Sequence, residues 1–186
     1  MKATIALFLA ALLLAACESE PAAPVATAPV GADVLFPPQL EAYYDVDLPT
    51  SACVSDTVMR ADMLSQLRNQ IMITGLSCRG AYPGLDEFNE YVNFTVRHQN
   101  RLRDVQSTLG SFLSQQRGGR AARQYDTYAT EIANSESQTV LALSPDNYCL
   151  ARYYQFQAVT RMTDADIQNY LDLAVQRRSS AYRTCG

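Results

Sequence analysis

The sequence predicts an all-α protein, an antiparallel bundle of four to five helices braced by two disulfide bonds. Three observations lead to this fold class. Apolar residues recur at intervals of three and four along most of the chain from residue 54 onward, which is typical of amphipathic helices. No segment alternates apolar and polar residues with the period of a strand. Four cysteines follow residue 50, and an even number is typical of disulfides in an exported chain.

The first sixteen residues are typical of an export signal. A short apolar run follows Lys2 and ends in two alanines. The run is shorter than the roughly 20 apolar residues that span a bilayer. Residues 14–17, Leu-Ala-Ala-Cys, resemble the lipobox of bacterial lipoproteins, whose cysteine becomes the lipidated N-terminus of the mature chain. The alternative is an ordinary signal in which this cysteine occurs by chance.

The lipobox resemblance implies a location as well as a modification. Residues 1–16 would be removed as a signal peptide, and two or three acyl chains on Cys17 would hold the protein stably on a membrane. The resemblance also implies a cell-envelope protein that faces the periplasm. Glu18, rather than an aspartate, follows the cysteine, which favours the outer membrane over the inner.

The chain up to residue 53 divides into two parts of different composition. Residues 17–33 contain the lipidated N-terminus and an Ala/Pro-rich tether with too few large apolar side chains to order itself. At about 3.1 Å per residue, this tether reaches roughly 50 Å at most. Residues 34–53 include Leu35, Phe36 and Leu40, so we expect an extended segment that packs on the domain.

Residues 54–186 are expected to form the helical bundle domain. The first helix runs from Val54 to about Cys78, with Ser55 or Asp56 as its cap. The second is predicted as one helix over 85–117, with His98 on its inner face. Gly110 within it is expected to cost about 1 kcal/mol relative to alanine.

Three further helices complete the predicted bundle. The third covers about 120–143 and follows the Gly-Gly stop at 118–119. The fourth begins at Ser144 as N-cap, with Pro145 in the first turn. The fifth begins near Thr163 and ends at the arginines 177–178, where cations favour the negative end of the helix dipole.

The helix order suggests which cysteines pair. In an up-and-down bundle, Cys78 ends the first helix at the pole where the fourth helix begins with Cys149, so these two are expected to pair. Elimination leaves Cys53 with Cys185, although simple alternation places them at opposite poles unless the tail crosses over. The alternative, structural zinc, lacks a Cys-x-x-Cys spacing and has one histidine in the chain to draw on.

The charge pattern bears on possible partners. The formal net charge is −4, and an acidic exported chain is a poor candidate for nucleic acid. Arginines concentrate in the middle of the chain and give one candidate anion site: Arg97, Arg101, Arg117, Arg120 and Arg123. Arginine suits bidentate contacts to phosphate and carboxylate, as in lipid headgroups, envelope polysaccharide or an acidic protein. The alternative is a solvated face paired with nearby acids.

No motif for catalysis stands out. His98 is expected in the core or at its boundary rather than beside a nucleophile. The acids 86, 87 and 90 suit the start of a helix, and 118–119 lacks the strand and the lysine or serine of a phosphate-binding loop. We therefore expect a protein that is not an enzyme, with no cofactor and no metal.

The segments GLSCRGAYPGLDEFNEYVNFTVRHQNRLR, RGGRAARQYDTYATEIAN and PDNYCLARYYQF resemble small exported helical proteins of alphaproteobacteria. The resemblance covers roughly residues 58–160 and implies an exported, disulfide-linked helical domain. It transfers no activity and no functional residues. The expected function is a structural or assembly partner in the cell envelope, and the alternative is a binding module for an anionic envelope ligand.

Overall fold

A computed structural model describes residues 31–43, 48 and 52–185, and these residues are predominantly helical. The helices are α1 Ala32–Leu35, a 3-10 helix Pro38–Tyr43, α2 Asp56–Ser77, α3 Glu87–Arg97, α4 Gln99–Arg117, α5 Ala121–Leu143, α6 Pro145–Thr160, α7 Asp164–Arg178 and a 3-10 turn Ser179–Ala181. Within those described ranges the extended pairing is one isolated bridge. The all-α prediction is confirmed. The predicted signal peptide, Cys17 and the tether up to residue 30 lie outside the described residues.

Helix α2 is the central element of the fold, since α3, α4, α5, α6 and α7 all contact it. Its side chains Leu64, Leu67 and Ile71 are almost completely buried. Polar side chains on α2 are buried as well, because the helix is surrounded rather than packed on one face. A buried polar group costs free energy unless it is hydrogen-bonded, and Asp62 of α2 is the centre of one of the polar networks described below.

The single long helix predicted over 85–117 is wrong, because the structure divides it at His98. Helix α3 begins after Asp86, whose carboxylate accepts a hydrogen bond from the Asn89 amide, and His98 ends it. The His98 ring is 3% exposed and bonds to the segment that precedes α7. The apolar stripe stays in phase through Phe94 and Leu102, and this explains why periodicity alone missed the break.

The segment before α2 also differs from the extended chain expected over 34–53. Its described part forms α1 and a 3-10 helix. Helix α1 begins with bonds from the Val34 and Leu35 amides to the Gly31 carbonyl. Leu35, Phe36 and Leu40 are buried, and the Phe36 ring stacks on another ring at 5.3 Å. Local amide bonds satisfy the backbone here, and the three side chains lie against the helical domain.

Two disulfides are present, and they join the cysteines that were predicted to pair, one pair from helix order and the other by elimination. Cys78 pairs with Cys149, and Cys53 pairs with Cys185. The second pair meets because the chain after α7 returns to the start of α2. There the Val54 amide donates to a carbonyl of the C-terminal tail at 2.7 Å, and the Cys185 amide donates to the Val54 carbonyl at 3.1 Å.

Two details of the predicted helix ends and interiors are corrected. Ser144 precedes α6 with a positive φ of 68°, and its side chain does not cap the helix. The Ser144 hydroxyl instead accepts a hydrogen bond from the Asn147 side-chain amide. Gly110 is not merely a weak helix former. A Cβ there would lie 2.7 Å from the Ala121 carbonyl oxygen, so glycine permits the close approach of α4 to the start of α5.

Candidate functional site

One buried polar network centres on Asp62 of α2. Its carboxylate is completely buried and accepts hydrogen bonds from the Tyr128 hydroxyl, the Tyr182 hydroxyl and the Gln66 amide, at 2.6, 2.6 and 2.9 Å. Arg178 donates to the Gln66 side-chain oxygen at 2.6 Å. Burial raises the pKa of Asp62, and these hydrogen bonds oppose that rise. The network joins α2 to α5, to the end of α7 and to the C-terminal tail.

A second buried network joins α5, α6 and α1. Arg152 is 1% exposed and donates from Nη2 to the Glu136 carboxylate at 2.5 Å. The Tyr148 hydroxyl donates to the same oxygen at 2.5 Å, and Arg152 also donates to the Gln155 side-chain oxygen. The Gln155 amide then donates to the Leu35 carbonyl at 2.7 Å. Burial, with the neighbouring carboxylate, raises the pKa of Tyr148.

A third network fixes the break between α3 and α4. His98 Nε2 lies 3.0 Å from the Met162 carbonyl, and Nδ1 lies 3.0 Å from the Asp164 carboxylate. Both partners accept hydrogen bonds, so both bonds are made when the ring carries two protons. The hydrogen bond from His98 is the main reason that the pKa of Asp164 lies below its usual range. The positive charge of Arg101, whose Nε lies 3.4 Å from the same carboxylate, lowers this pKa further. The one histidine therefore ties the α3–α4 junction to α7.

The structure separates the five arginines of the predicted anion site into two groups. Arg97 ends α3 and Arg101 lies in the first turn of α4. The others lie around the α4–α5 turn: Arg117, Arg120 and Arg123. The length of α4, about 28 Å at 1.5 Å per residue, lies between the groups. Arg97 donates to the Thr160 carbonyl at 3.0 Å, and Arg117 lies 3.7 Å from Glu131. No single surface brings all five together.

A groove of about 560 Å³, here called the polar groove, lies between α2, the α3–α4 region and α5. Its polar lining is Arg68, Asn69, Thr95, Gln99, Arg103, Gln106, Asp126 and Thr130, and its apolar wall is Met72, Leu102, Tyr125, Ala129 and Ala133. Arg68 is half-buried and makes no hydrogen bond or ion pair with any residue in the described ranges. Sequence reasoning missed Arg68 because it stands outside the arginine-rich stretch.

A second groove, here called the apolar groove, lies between α6 and the chain that enters the domain at residue 31. Its volume is about 680 Å³, and its lining is Asp33, Val34, Pro37, Pro38, Gln39, Leu143, Asn147, Leu150, Ala151, Tyr154 and Gln155. Leu150 and Tyr154 are 76% and 69% exposed. Their spacing of four residues puts both on one face of α6, away from the buried Phe156. That spacing was the available sequence signal.

Two classes of site are absent from residues 31–43, 48 and 52–185. No three His, Cys, Asp or Glu side chains there lie close enough to hold a metal ion. None of the helices in the same ranges has the length and apolar character needed to cross a bilayer.

Comparison with protein-family models, with characterised proteins and with solved structures finds no match to this chain.

Proposed function

We propose that this protein is a lipid-anchored, periplasm-facing helical protein that serves as a non-enzymatic assembly partner in the cell envelope, on the outer membrane. In this proposal Cys17 carries the lipid, and the tether sets how far the helical domain extends from the membrane. The apolar groove binds a segment of a partner protein. The single observation that carries the proposal is the exposed face of Leu150 and Tyr154 beside the point where the tether joins the domain.

The proposal includes an antiparallel bundle as the rigid part of the molecule. Three residues separate α4 from α5, and Ser144 alone separates α5 from α6. Short connections between helices favour antiparallel neighbours. The disulfide from Cys78 to Cys149 and the one from Cys53 to Cys185 then fix both the interior and the ends of the bundle. A rigid scaffold of this kind holds a docking surface in one shape.

Exposed aliphatic and aromatic surface in the apolar groove supports docking. An apolar groove edged by exposed aliphatic and aromatic side chains is a candidate interaction surface, and tyrosine is enriched in protein interfaces. Asp33 lines the groove, and Asp146 is exposed in the first turn of α6. A negative rim of this kind favours an apolar partner segment flanked by lysine or arginine, through charge complementarity.

The tether places this groove close to the membrane. The residues between Cys17 and Gly31, at about 3.1 Å each when extended, allow the groove to act within about 45 Å of the bilayer. Tethering also raises the effective concentration of the groove near other envelope proteins. We therefore expect the partner to be an envelope protein that presents its segment at this height.

The buried titratable groups support a non-enzymatic role. Asp62, Glu136 and His98 each bond to groups of other helices or of the tail. Arg152 is similarly occupied by Glu136 and Gln155. Because catalysis needs groups within reach of a substrate, side chains engaged in holding helices together are best explained as structural.

Photo-crosslinking in cells tests the proposal. A photoreactive side chain replaces Leu150 in the full lipoprotein, and a matched chain carries it at Val96, which is 63% exposed on α3. We expect the Leu150 chain to form an adduct with one envelope protein, at an apolar peptide flanked by basic residues that mass spectrometry identifies. The Asp33→Lys variant is expected to lower the yield, and the Val96 chain is expected to give no such adduct.

Three outcomes would contradict docking of a protein segment. Adducts with lipid would indicate that α6 rests on the bilayer. Adducts between two copies of this chain would indicate a homodimer. Equal yields from Leu150 and Val96 would mean that the apolar groove has no selectivity.

A further inference from the structure

We propose that the polar groove between α2, the α3–α4 region and α5 binds an anionic sugar, a saccharide that carries a carboxylate or a phosphate. The lining residues of the polar groove and those of the apolar groove are entirely different. The two proposed sites are therefore independent, and a test that contradicts one of them leaves the other unaffected.

The anion is held by two guanidinium groups. Arg68 reaches the groove from α2 with its guanidinium unpaired among the described residues, and Arg103 reaches it from α4. Arg103 also donates to the Asn100 side chain, which leaves further N–H donors on a planar group that has five. Two arginines that face one groove from different helices match the planar, bidentate recognition of carboxylate and phosphate.

The remaining lining suits the rest of a sugar. Amide side chains of Asn69, Gln99 and Gln106 and the hydroxyl groups of Thr95 and Thr130 line the same space. Asn69 already donates to a backbone carbonyl of α2 at 2.8 Å, which fixes the orientation of its amide. Amides and hydroxyls both donate and accept, so they can pair with ring hydroxyls whatever direction each hydroxyl takes.

The apolar wall of the groove gives a sugar ring a surface to pack on. Tyr125 is buried, and Met72 and Leu102 are half-buried beside it. The volume of about 560 Å³ falls within the range of about 300–1,000 Å³ that is usual for small-molecule sites. An apolar wall with a few convergent polar groups is the usual composition of such a site.

Asp126 explains why the ligand is a sugar and not a bare anion. Its carboxylate is exposed and lines the same groove as Arg68 and Arg103. A carboxylate accepts hydrogen bonds from sugar hydroxyls but repels a free phosphate or an acidic peptide. The groove therefore favours a ligand with one anionic end and one hydroxyl-rich end.

The earlier candidate arginines provide a contrast. Arg97 and Arg101 already bond to a carbonyl and to Asp164, and Arg117 pairs with Glu131. Arg120 and Arg123 are exposed and line neither groove. Arg68 has no such partner among the residues described. The anion site is therefore assigned to α2 and α4 rather than to the arginine-rich turn.

Ligand-observed NMR titrations of the full lipoprotein in detergent micelles test the inference. The two anionic probes are glucuronate and glucose 6-phosphate, which distinguish a carboxylate from a phosphate, and the reference probes are glucose and inorganic phosphate. We expect at least one anionic sugar to bind more tightly than both references. Arg68→Gln is expected to weaken that binding by at least about tenfold, since it removes a charged hydrogen-bond donor.

A variant that is expected to bind more tightly distinguishes a change at the site from a loss of binding through misfolding. Asp126→Asn removes the charge that repels the anionic end and keeps a side-chain oxygen that accepts from sugar hydroxyls. It is therefore expected to tighten the binding of the anionic sugar severalfold. Arg161→Gln, an exposed change of the same charge on the α6–α7 connection, is expected to leave it unchanged. Weakening by Arg120→Gln but not by Arg68→Gln would move the site to the α4–α5 turn and overturn the assignment. Equal binding of glucose, or of inorganic phosphate, or no binding of either anionic sugar, would also overturn it.

Discussion

The buried pair of Arg152 and Glu136 gives the sharpest prediction about stability. Arg152 donates to the Glu136 carboxylate from Nε at 3.1 Å and from Nη2 at 2.5 Å, and both side chains are at most 4% exposed. Arg152→Met leaves the carboxylate buried without its cation, and the Gln155 oxygen also loses its donor. Removing one partner of a buried pair typically costs about 3–5 kcal/mol, so we expect the free energy of unfolding to fall by that amount.

A double variant separates the lost pair from the lost packing. Arg152→Met combined with Glu136→Leu removes both charges. The Tyr148 hydroxyl then keeps the Thr74 hydroxyl as its partner at 3.0 Å, so the remaining cost is about 1–3 kcal/mol for the unpaired Gln155 oxygen. Urea unfolding of the disulfide-intact protein, followed by circular dichroism, measures both values. Arg161→Met, at an exposed position, is the matched control and is expected to change stability by less than about 0.5 kcal/mol. A double variant less stable than Arg152→Met alone would refute the reasoning.

Three further predictions concern other parts of the fold. Gly110→Ala places a Cβ 2.7 Å from the Ala121 carbonyl oxygen, so we expect it to lower the melting temperature, whereas a rise would show that helix propensity outweighs the close approach. Burial raises the pKa of Asp62 above the unfolded value of 3.8, so the folded state favours the protonated carboxyl. The free energy of unfolding of the wild type relative to Asp62→Asn should therefore fall as the pH rises from about 4. A difference that stays constant with pH would contradict this. Replacing Cys78 and Cys149 together by serine opens a separation of 71 residues and should cost about 4 kcal/mol in urea unfolding, and an unchanged midpoint would refute the estimate.

Local patterns in the sequence were sufficient to predict most of the helices. The apolar period found α2 and α5, and Thr163 with Asp166 forms the capping box that begins α7. Helix order was sufficient to predict the Cys78–Cys149 pair. The Cys53–Cys185 pair followed only by elimination, because simple alternation does not supply the return of the tail to Val54. The correctly predicted helices and the first pair depend on residues close in sequence or on simple alternation.

Contacts between distant residues account for what the sequence did not reveal. The break at His98 depends on bonds to Met162 and Asp164, 64 and 66 residues further along the chain. The burial of Arg152 depends on Glu136, which lies on a neighbouring helix. Charges are expected at the surface unless paired, so nothing in the local pattern marked this arginine as internal.

The candidate grooves were hidden for the same reason. Arg68 occurs in a helix whose stripe predicted only packing, and the polar groove forms only when α2, α4 and α5 come together. The Arg97 to Arg123 stretch looked continuous in sequence, yet α4 separates its two ends. Density of charge along the chain was therefore a poor guide to density of charge in space.

Mass spectrometry of the N-terminal peptide of the mature protein tests the proposed lipid anchor, on which the proposed reach of the apolar groove depends. We expect a chain that begins at Cys17, carries two or three acyl chains and is recovered with the membrane fraction. A mature chain with an unmodified Cys17, or one that begins at another residue and is released in soluble form, would contradict it.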